Sequence, residues 1–315
     1  MPFPIFRMPD VVVSEFVNLL DPSEMLMMSL CSQSIYLIVQ CNIRRSMKLD
    51  LSLTCFVGYS ADYESRNTKK FMLLVSDREN CPQNSRYNLK IEGYSVPMIW
   101  DTDYNTVVTY WNNPILGAQK VMIFVTKLFR RNIHNALFSK PDLWVIDFIN
   151  MMQDSLPHAC VIGHFYADYS FFHRVLSWDV DHLSMNAEPP YQEFQYYKEF
   201  GARKSIFLDK ASWLSIQNVM SMNQIEVYLQ NTKFSNADIN TFLTSWIHGG
   251  NARLRFLHCT LEEEVDLRKI CVGLASELHV RYRIQPAKRT YSKKRKICKD
   301  LTEPPHHSCV VIAIV

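Results

Sequence analysis

A chain of 315 residues can build one large domain or two ordinary ones, and 48% apolar with 12% aromatic residues is enough for a sizeable core. Its charged fraction of 21% and net charge of +3 exclude general disorder and a wholly basic nucleic-acid coat. Eight glycines, none in GxGxxG or GxxxxGK(S/T) spacing, exclude the phosphate loops of those two kinds.

Nine cysteines, an odd number with no CxxC pair, read as reduced apolar side chains, and the sequence has no Asn-x-Ser/Thr acceptor. Pro2, Pro4 and the early Asp10 do not suit a signal peptide. No apolar run approaches a membrane span: Val121–Val125 has five residues and Cys309–Val315 seven. Cys309 is seventh from the last residue, which is not a prenylation position. The expected location is cytoplasmic, nuclear or both, with no membrane partner.

From Phe3 to Ile43 there are 24 apolar side chains, more than so short a segment can bury by itself. Something else must cover it. Pro9 predicts the start of a helix that carries Val12, Val13, Phe16, Val17 and Leu20. Asp21 is then placed to cap a second helix, with Pro22 at its first position and Glu24 completing a capping box. Leu20 and Met25 stand at hydrophobic-staple positions. Met25-Leu26-Met27-Met28 is apolar around the helix circumference, which predicts cover on more than one side. Ile35, Ile38 and Val39 predict a third helical stretch.

Phe3-Pro4-Ile5-Phe6-Arg7-Met8-Pro9, Leu19-Leu20-Asp21-Pro22-Ser23-Glu24-Met25 and Ser29-Leu30-Cys31-Ser32 together resemble an F-box. That short helical module docks on the Skp adaptor of cullin–RING ubiquitin ligases. The resemblance covers roughly residues 3–45 and sets an F-box domain at residues 1–45. It implies adaptor-binding roles for Met8, Pro9, Leu19, Leu20, Pro22, Met25, Leu26, Leu30 and Cys31, and a cullin reached through the adaptor.

Residues 46–120 are expected to form a β-rich connecting region packed on the domain that follows. Met47, Leu49, Leu51, Leu53, Cys55 and Val57 alternate with Lys48, Asp50, Ser52 and Thr54, which predicts a half-buried strand. Residues 71–75 and 87–91 predict two more, with polar loops at 67–70 and 80–86. Asp101-Thr102-Asp103 can be read as the carboxylate pair that holds a divalent ion in sugar-nucleotide transferases. Beside Tyr104 and Asn105 it also reads as a turn. Val121, Phe124, Val125, Leu128 and Phe129 follow helical spacing, as do Leu143, Ile146 and Ile149 behind Pro141-Asp142.

After residue 158 the pattern becomes repetitive. Short apolar stretches near 159–163, 181–185, 205–209, 225–229 and 254–258 recur every 20 to 29 residues, with helix-like segments between most of them. In the clearest unit Ile225-Glu226-Val227-Tyr228-Leu229 leads through Asn231 to Ser235, which can cap a helix with Asp238 at its third position. Phe234 and Ile239 form a second staple, Ile239, Phe242, Leu243, Trp246 and Ile247 the core stripe, and Gly249 the stop. A strand, a loop and a helix per unit predict a leucine-rich-repeat-like α/β domain over residues 121–280. The whole chain is then α+β or α/β, with a three-helix F-box in front.

Trp213-Leu214, Val219-Met220, Ile225-Glu226-Val227, Asn236–Leu243 with Trp246, and Gly250-Asn251-Ala252-Arg253-Leu254 resemble the type 2 F-box-associated domain of nematode-type F-box proteins. Leu128-Phe129 and residues 144–150 are similar to its upstream half, so the resemblance covers about residues 120–265. It implies a domain that holds the protein substrate of the ligase, with the contacting residues and the substrate itself unidentified.

Residues 281–315 are read as a basic tail and an apolar terminus. Residues 281–299 hold nine Lys/Arg and no acid; without them, and without Asp300 and Glu303, residues 1–280 carry a net charge of −4. Lys293, Lys294, Arg295 and Lys296 fit a nuclear-import patch, a nucleic-acid contact or a solvated loop, and without interleaved stacking aromatics nucleic acid is not the expected partner.

Catalytic candidates are sparse. His164 and Asp168 stand four apart across a strand end, and His306-His307 follow two prolines, so neither pair converges on a ligand. GxSxG and HExxH are absent. The expected function is a non-catalytic substrate-recognition subunit of a Skp–cullin–F-box ligase with no cofactor and no metal. The alternative is an α/β metal-dependent transferase using Asp101 and Asp103.

Overall fold

A computed structural model of the chain describes residues 8–44, 47, 49–55, 59–64, 71–83, 87–101, 106–138, 142–166, 168–191, 194–201, 203–274, 282–286 and 309–314. The chain divides into two compact units, Met1–Leu156 and Pro157–Val315.

The first unit opens with α1 (Asp10–Leu19), α2 (Pro22–Cys31) and α3 (Gln33–Asn42). The expected capping box closes: Glu24 N donates to Asp21 Oδ1 at 2.9 Å, and Asp21 N donates to Glu24 Oε2 at 2.9 Å. Ser32 caps α3 by accepting from Ile35 N at 3.2 Å. Burial of α2 runs around most of its circumference, at Pro22, Ser23, Met25, Leu26, Ser29 and Leu30.

Six strands then alternate with little helix: β1 (Asp50–Cys55), β2 (Tyr59–Glu64), β3 (Phe71–Asp77), β4 (Tyr87–Ile91), β5 (Tyr94–Asp101) and β6 (Thr106–Trp111). They are followed by α4 (Pro114–Phe129), β7 (Ile133–Phe138) and α5 (Trp144–Met152). The strand order in this unit is β7-β1-β2-β3-β6-β5-β4, with β1–β7 and β3–β6 parallel and the other pairs antiparallel.

The half-buried expectation for the first strand fails. Ser52 and Thr54 are buried together with Leu51, Leu53 and Cys55. The physical reason is that β1 is flanked by β2 and β7, and Asn135 of β7 donates to Ser52 Oγ at 3.0 Å, so a polar side chain is satisfied inside. Lys48 and Val57 lie outside the described residues.

Asn113 caps α4 by accepting from Leu116 N at 3.1 Å, Pro114 takes the first helical position, and Arg130 ends it at φ 51°. The helix packs on β2, β3 and β6 and also carries the N-terminal helices. Tyr36 of α3 lies 5.1 Å from the Phe124 ring, and Gln40 Nε2 donates to Lys127 O at 2.8 Å. The expected domain limit at 120/121 thus falls inside a helix whose two ends serve one core, whereas the chain divides at 156/157.

The second unit contains β8 (Leu156–Tyr166), α6 (Tyr169–Ser177), β9 (Val180–Glu188), β10 (Ser205–Leu208), α7 (Ile216–Ser221) and β11 (Glu226–Leu229). After them come α8 (Asn236–Ile247), β12 (Phe256–Thr260), α9 (Leu267–Ile270), β13 (Tyr282–Pro286) and β14 (Cys309–Ile314). Strands β9, β10, β11 and β12 are neighbours, all parallel. β14 lies antiparallel on β12, and β13 antiparallel on β14. The apolar terminus is therefore a sheet strand, as are residues 282–286 of the basic run, while residues 287–308 lie outside the described residues.

The repeat signals operate where expected. Ser235 and Asp238 close a capping box on α8, Asn231 sits at φ 54° in the turn, and Gly249 sits at φ 97° past the helix end. Asp168 caps α6 by accepting from Phe171 N at 2.7 Å, which gives that carboxylate a local task. No helix is found between β9 and β10 among the described residues. Phe194, Tyr196 and Phe200 are buried there instead, with Phe194 edge-on to Phe172 and Trp213 at 4.8 and 5.4 Å.

Candidate functional site

Two surfaces stand out, one in each unit. In the first, α1 buries Val13 and Val17 and leaves Val12, Phe16 and Leu19 exposed at 46%, 36% and 84%. Their i, i+4, i+7 spacing puts them on one stripe of the helix. Val11 and, on α3, Leu37 are exposed as well. A stripe of large apolar side chains left in water by its own fold is the signature of a contact surface rather than of scattered exposure.

The residues that the F-box resemblance implicates fall into two groups. Pro9, Leu19 and Cys31 are exposed, and Met8 and Leu20 are half-buried. Pro22, Met25, Leu26 and Leu30 are buried in the unit's own core. The second group builds the helical layer, and the first presents it. Sequence reasoning placed Val12 and Phe16 on the helix but gave them no surface role. The available signal was the width of the apolar arc on α1, too broad for one packed face.

The second surface, which we call the open face of the parallel sheet, lies opposite its buried apolar row; Glu226 is exposed there, Ser205 is buried and the other six strand positions are half-buried. Leu183, Met185, Ile206, Leu208, Val227, Leu229, Leu257 and Cys259 are buried on one side, level with one another across the strands. Alternation sends the intervening side chains to the other side. There one row reads His182, Ser205, Glu226, Phe256, and the next reads Ser184, Phe207, Tyr228, His258. Tyr228 is the centre of the aromatic run, 4.9 Å from Phe256, 6.5 Å from Phe207 and 6.3 Å from His258. His182 stacks on His158 of β8 at 4.7 Å and shares a 2.7 Å hydrogen bond between its Nδ1 and Ser205 Oγ. Glu226 is exposed. Burial holds His258 below the ordinary histidine range.

The remaining candidates do not converge. Asp101 closes β5 opposite Thr106, and Asp103 lies outside the described residues. His306, His307 and the patch Lys293, Lys294, Arg295 and Lys296 also lie outside them. Among the described residues no group of three or more His, Cys, Asp or Glu could hold a metal ion, and no helix is long and apolar enough to cross a membrane.

The parallel strands set the spacing of these side chains, with an apolar row on one side and an aromatic row on the other. A family model described as F-box associated matches residues 172–259, from α6 through most of β12. That match lies within the span of the sequence resemblance to a type 2 F-box-associated domain. No curated protein and no solved structure matches the chain.

Proposed function

We propose that the chain is the substrate-recognition subunit of a Skp–cullin–F-box ubiquitin ligase and is itself non-catalytic. The N-terminal helices act as the F-box and dock the Skp adaptor, which brings the cullin. The second unit, leucine-rich-repeat-like in its order of strand, loop and helix, holds the protein target on its open face. The observation that carries the reading is the Val12–Phe16–Leu19 stripe, exposed on a helical layer that precedes an F-box-associated domain. Such an order fits a protein that works between two others, in the cytoplasm or, by way of the 293–296 patch, in the nucleus.

The test is co-purification with a Skp adaptor. Phe16→Asp with Leu19→Asp places two charges on the exposed stripe and is expected to abolish retention of the adaptor while the melting temperature stays close to wild type. Adaptor retained by this folded double variant would sink the F-box reading. Met25→Asp serves as the contrast: that side chain is 3% exposed, so its replacement is expected to unfold the layer itself.

A further inference from the structure

The chemistry of the open sheet face narrows the class of target. Of the eight positions that β9 to β12 supply to these rows, Glu226 is the one carboxylate and none is Lys or Arg; the rows run on through Ala313 and Val311 of β14 to Arg283 and Gln285 of β13, so the row's cation stands three strands from Glu226. His258 is kept neutral at pH 7 by burial and adds no positive charge. The nearest cations in sequence, Lys204 and Arg255, each stand one position before a strand begins, and Lys204 is paired with Asp181 at 2.9 Å.

Glu226 is level with Phe256 on the adjacent strand and two residues from Tyr228 on its own. Those spacings are about 5 Å and about 7 Å, within the reach of one long side chain. The Tyr228 and Phe256 rings lie side by side at 4.9 Å, tilted by 38°, so they offer π surface beside a carboxylate.

Other classes of ligand fit this arrangement poorly. An apolar segment would strip water from Glu226 without supplying a partner. An acidic segment would meet Glu226 with no cation among the eight positions to offset it. A basic side chain meets both needs, because a guanidinium stacks on aromatic rings and donates to a carboxylate at once. Resting on the receptor reading, we infer that this face takes an extended segment of the target through an Arg or Lys side chain stacked on Tyr228 and Phe256 and paired with Glu226. Specificity of this kind lies in the surface side chains, while the buried row below them keeps the strands level.

The experiment uses the full chain and four capped heptapeptides, Gly-Ser-Ala-X-Ala-Ser-Gly, with X as Arg, Lys, Leu or Glu, titrated by NMR at low salt. The Arg and Lys peptides are expected to bind at least about fivefold more tightly than the Leu and Glu peptides. Glu226→Gln and Tyr228→Leu are each expected to remove most of that preference at unchanged melting temperature. Equal affinity for all four peptides, no saturable binding by any, or a preference untouched by Glu226→Gln would overturn the inference. So would binding that appears only after Lys293, Lys294, Arg295 and Lys296 are replaced by alanine, because the face would then belong to the chain's own segment. Adaptor co-purification from the same preparations separates the two readings: adaptor retained without peptide preference removes the ligand class alone, and adaptor lost with peptide preference intact removes the ligase assignment alone.

Discussion

Arg203 Nη2 donates to the main-chain carbonyl of Leu176 at 2.7 Å, across 27 residues of chain, and ties the end of α6 to the start of β10. The same nitrogen reaches Trp178 O at 3.0 Å, and Nε reaches Gly201 O at 3.1 Å. Burial pushes the guanidinium pKa down to about 10, so it stays charged at pH 7, where the negative end of the α6 dipole favours it. Removing it takes three hydrogen bonds out of this joint, although Leu176 O keeps Gly201 N at 3.0 Å and Gly201 O keeps Gln224 Nε2 at 3.0 Å. Arg203→Ala is therefore expected to lower the unfolding free energy by about 2–4 kcal/mol in a urea titration, and a loss below about 1 kcal/mol would show that water replaces the donor. Gly201→Ala tests the same joint, since its Cβ would lie 2.6 Å from Trp178 O and 2.8 Å from Ser177 O.

A second joint holds the first unit together. A Cβ on Gly117 of α4 would lie 2.5 Å from Cγ of Trp111. The indole cannot give way freely, because its Nε1 donates to Thr109 Oγ1 at 3.0 Å and that hydroxyl donates to Leu74 O at 2.8 Å. Alanine gains up to about 1 kcal/mol over glycine inside a helix, yet overpacking a pinned core costs about 1–3 kcal/mol. Gly117→Ala should lower the melting temperature. A rise would mean that α4 slides to make room.

The register of β11 separates its two faces. Val227 is fully buried and Glu226 is exposed, one residue apart. Val227→Asp is expected to destabilise by more than about 2 kcal/mol through burial of an unpaired charge, while Glu226→Gln stays near neutral. Thermal melts of both variants decide it, and equal melting temperatures would contradict the assigned register.

Local signals made much of this legible before the fold was seen. The capping boxes at Asp21 and Ser235 and the period-two run of residues 225–229 each depend on neighbours in sequence, and each element forms where they place it. What sequence could not show depends on partners far along the chain. Ser52 reads as solvent-facing until Asn135, 83 residues away, is seen beside it. Val12 and Phe16 read as core until Val13 and Val17 are seen to be the residues that α1 buries. The aromatic row of the open face was likewise hidden, because Phe207, Tyr228 and Phe256 come together only through strand pairing.

The last prediction concerns pH. His173 and His258 are both held below the ordinary value of 6.5, chiefly by burial, with Lys198 adding to the effect at His173. Among the described residues His173 Nε2 is buried without a hydrogen-bond partner, near the rings of Tyr169 at 6.0 Å and Tyr196 at 5.6 Å, so a proton there would gain a charge and no acceptor from them. A depressed histidine pKa means that the unfolded chain takes up protons first as pH falls. Stability is full above 6.5 and is lost below it, toward the depressed folded value. Asp209 has the opposite sign, since burial raises its carboxyl pKa; its protonation favours the folded state as pH falls from that raised value to the ordinary 3.8 and works against the histidine effect. The expected outcome is a melting temperature lower at pH 5.5 than at pH 7.5, with a smaller difference in His173→Phe and in His258→Phe and the smallest in the double variant. An undiminished pH dependence in the double variant would place the titrating groups elsewhere.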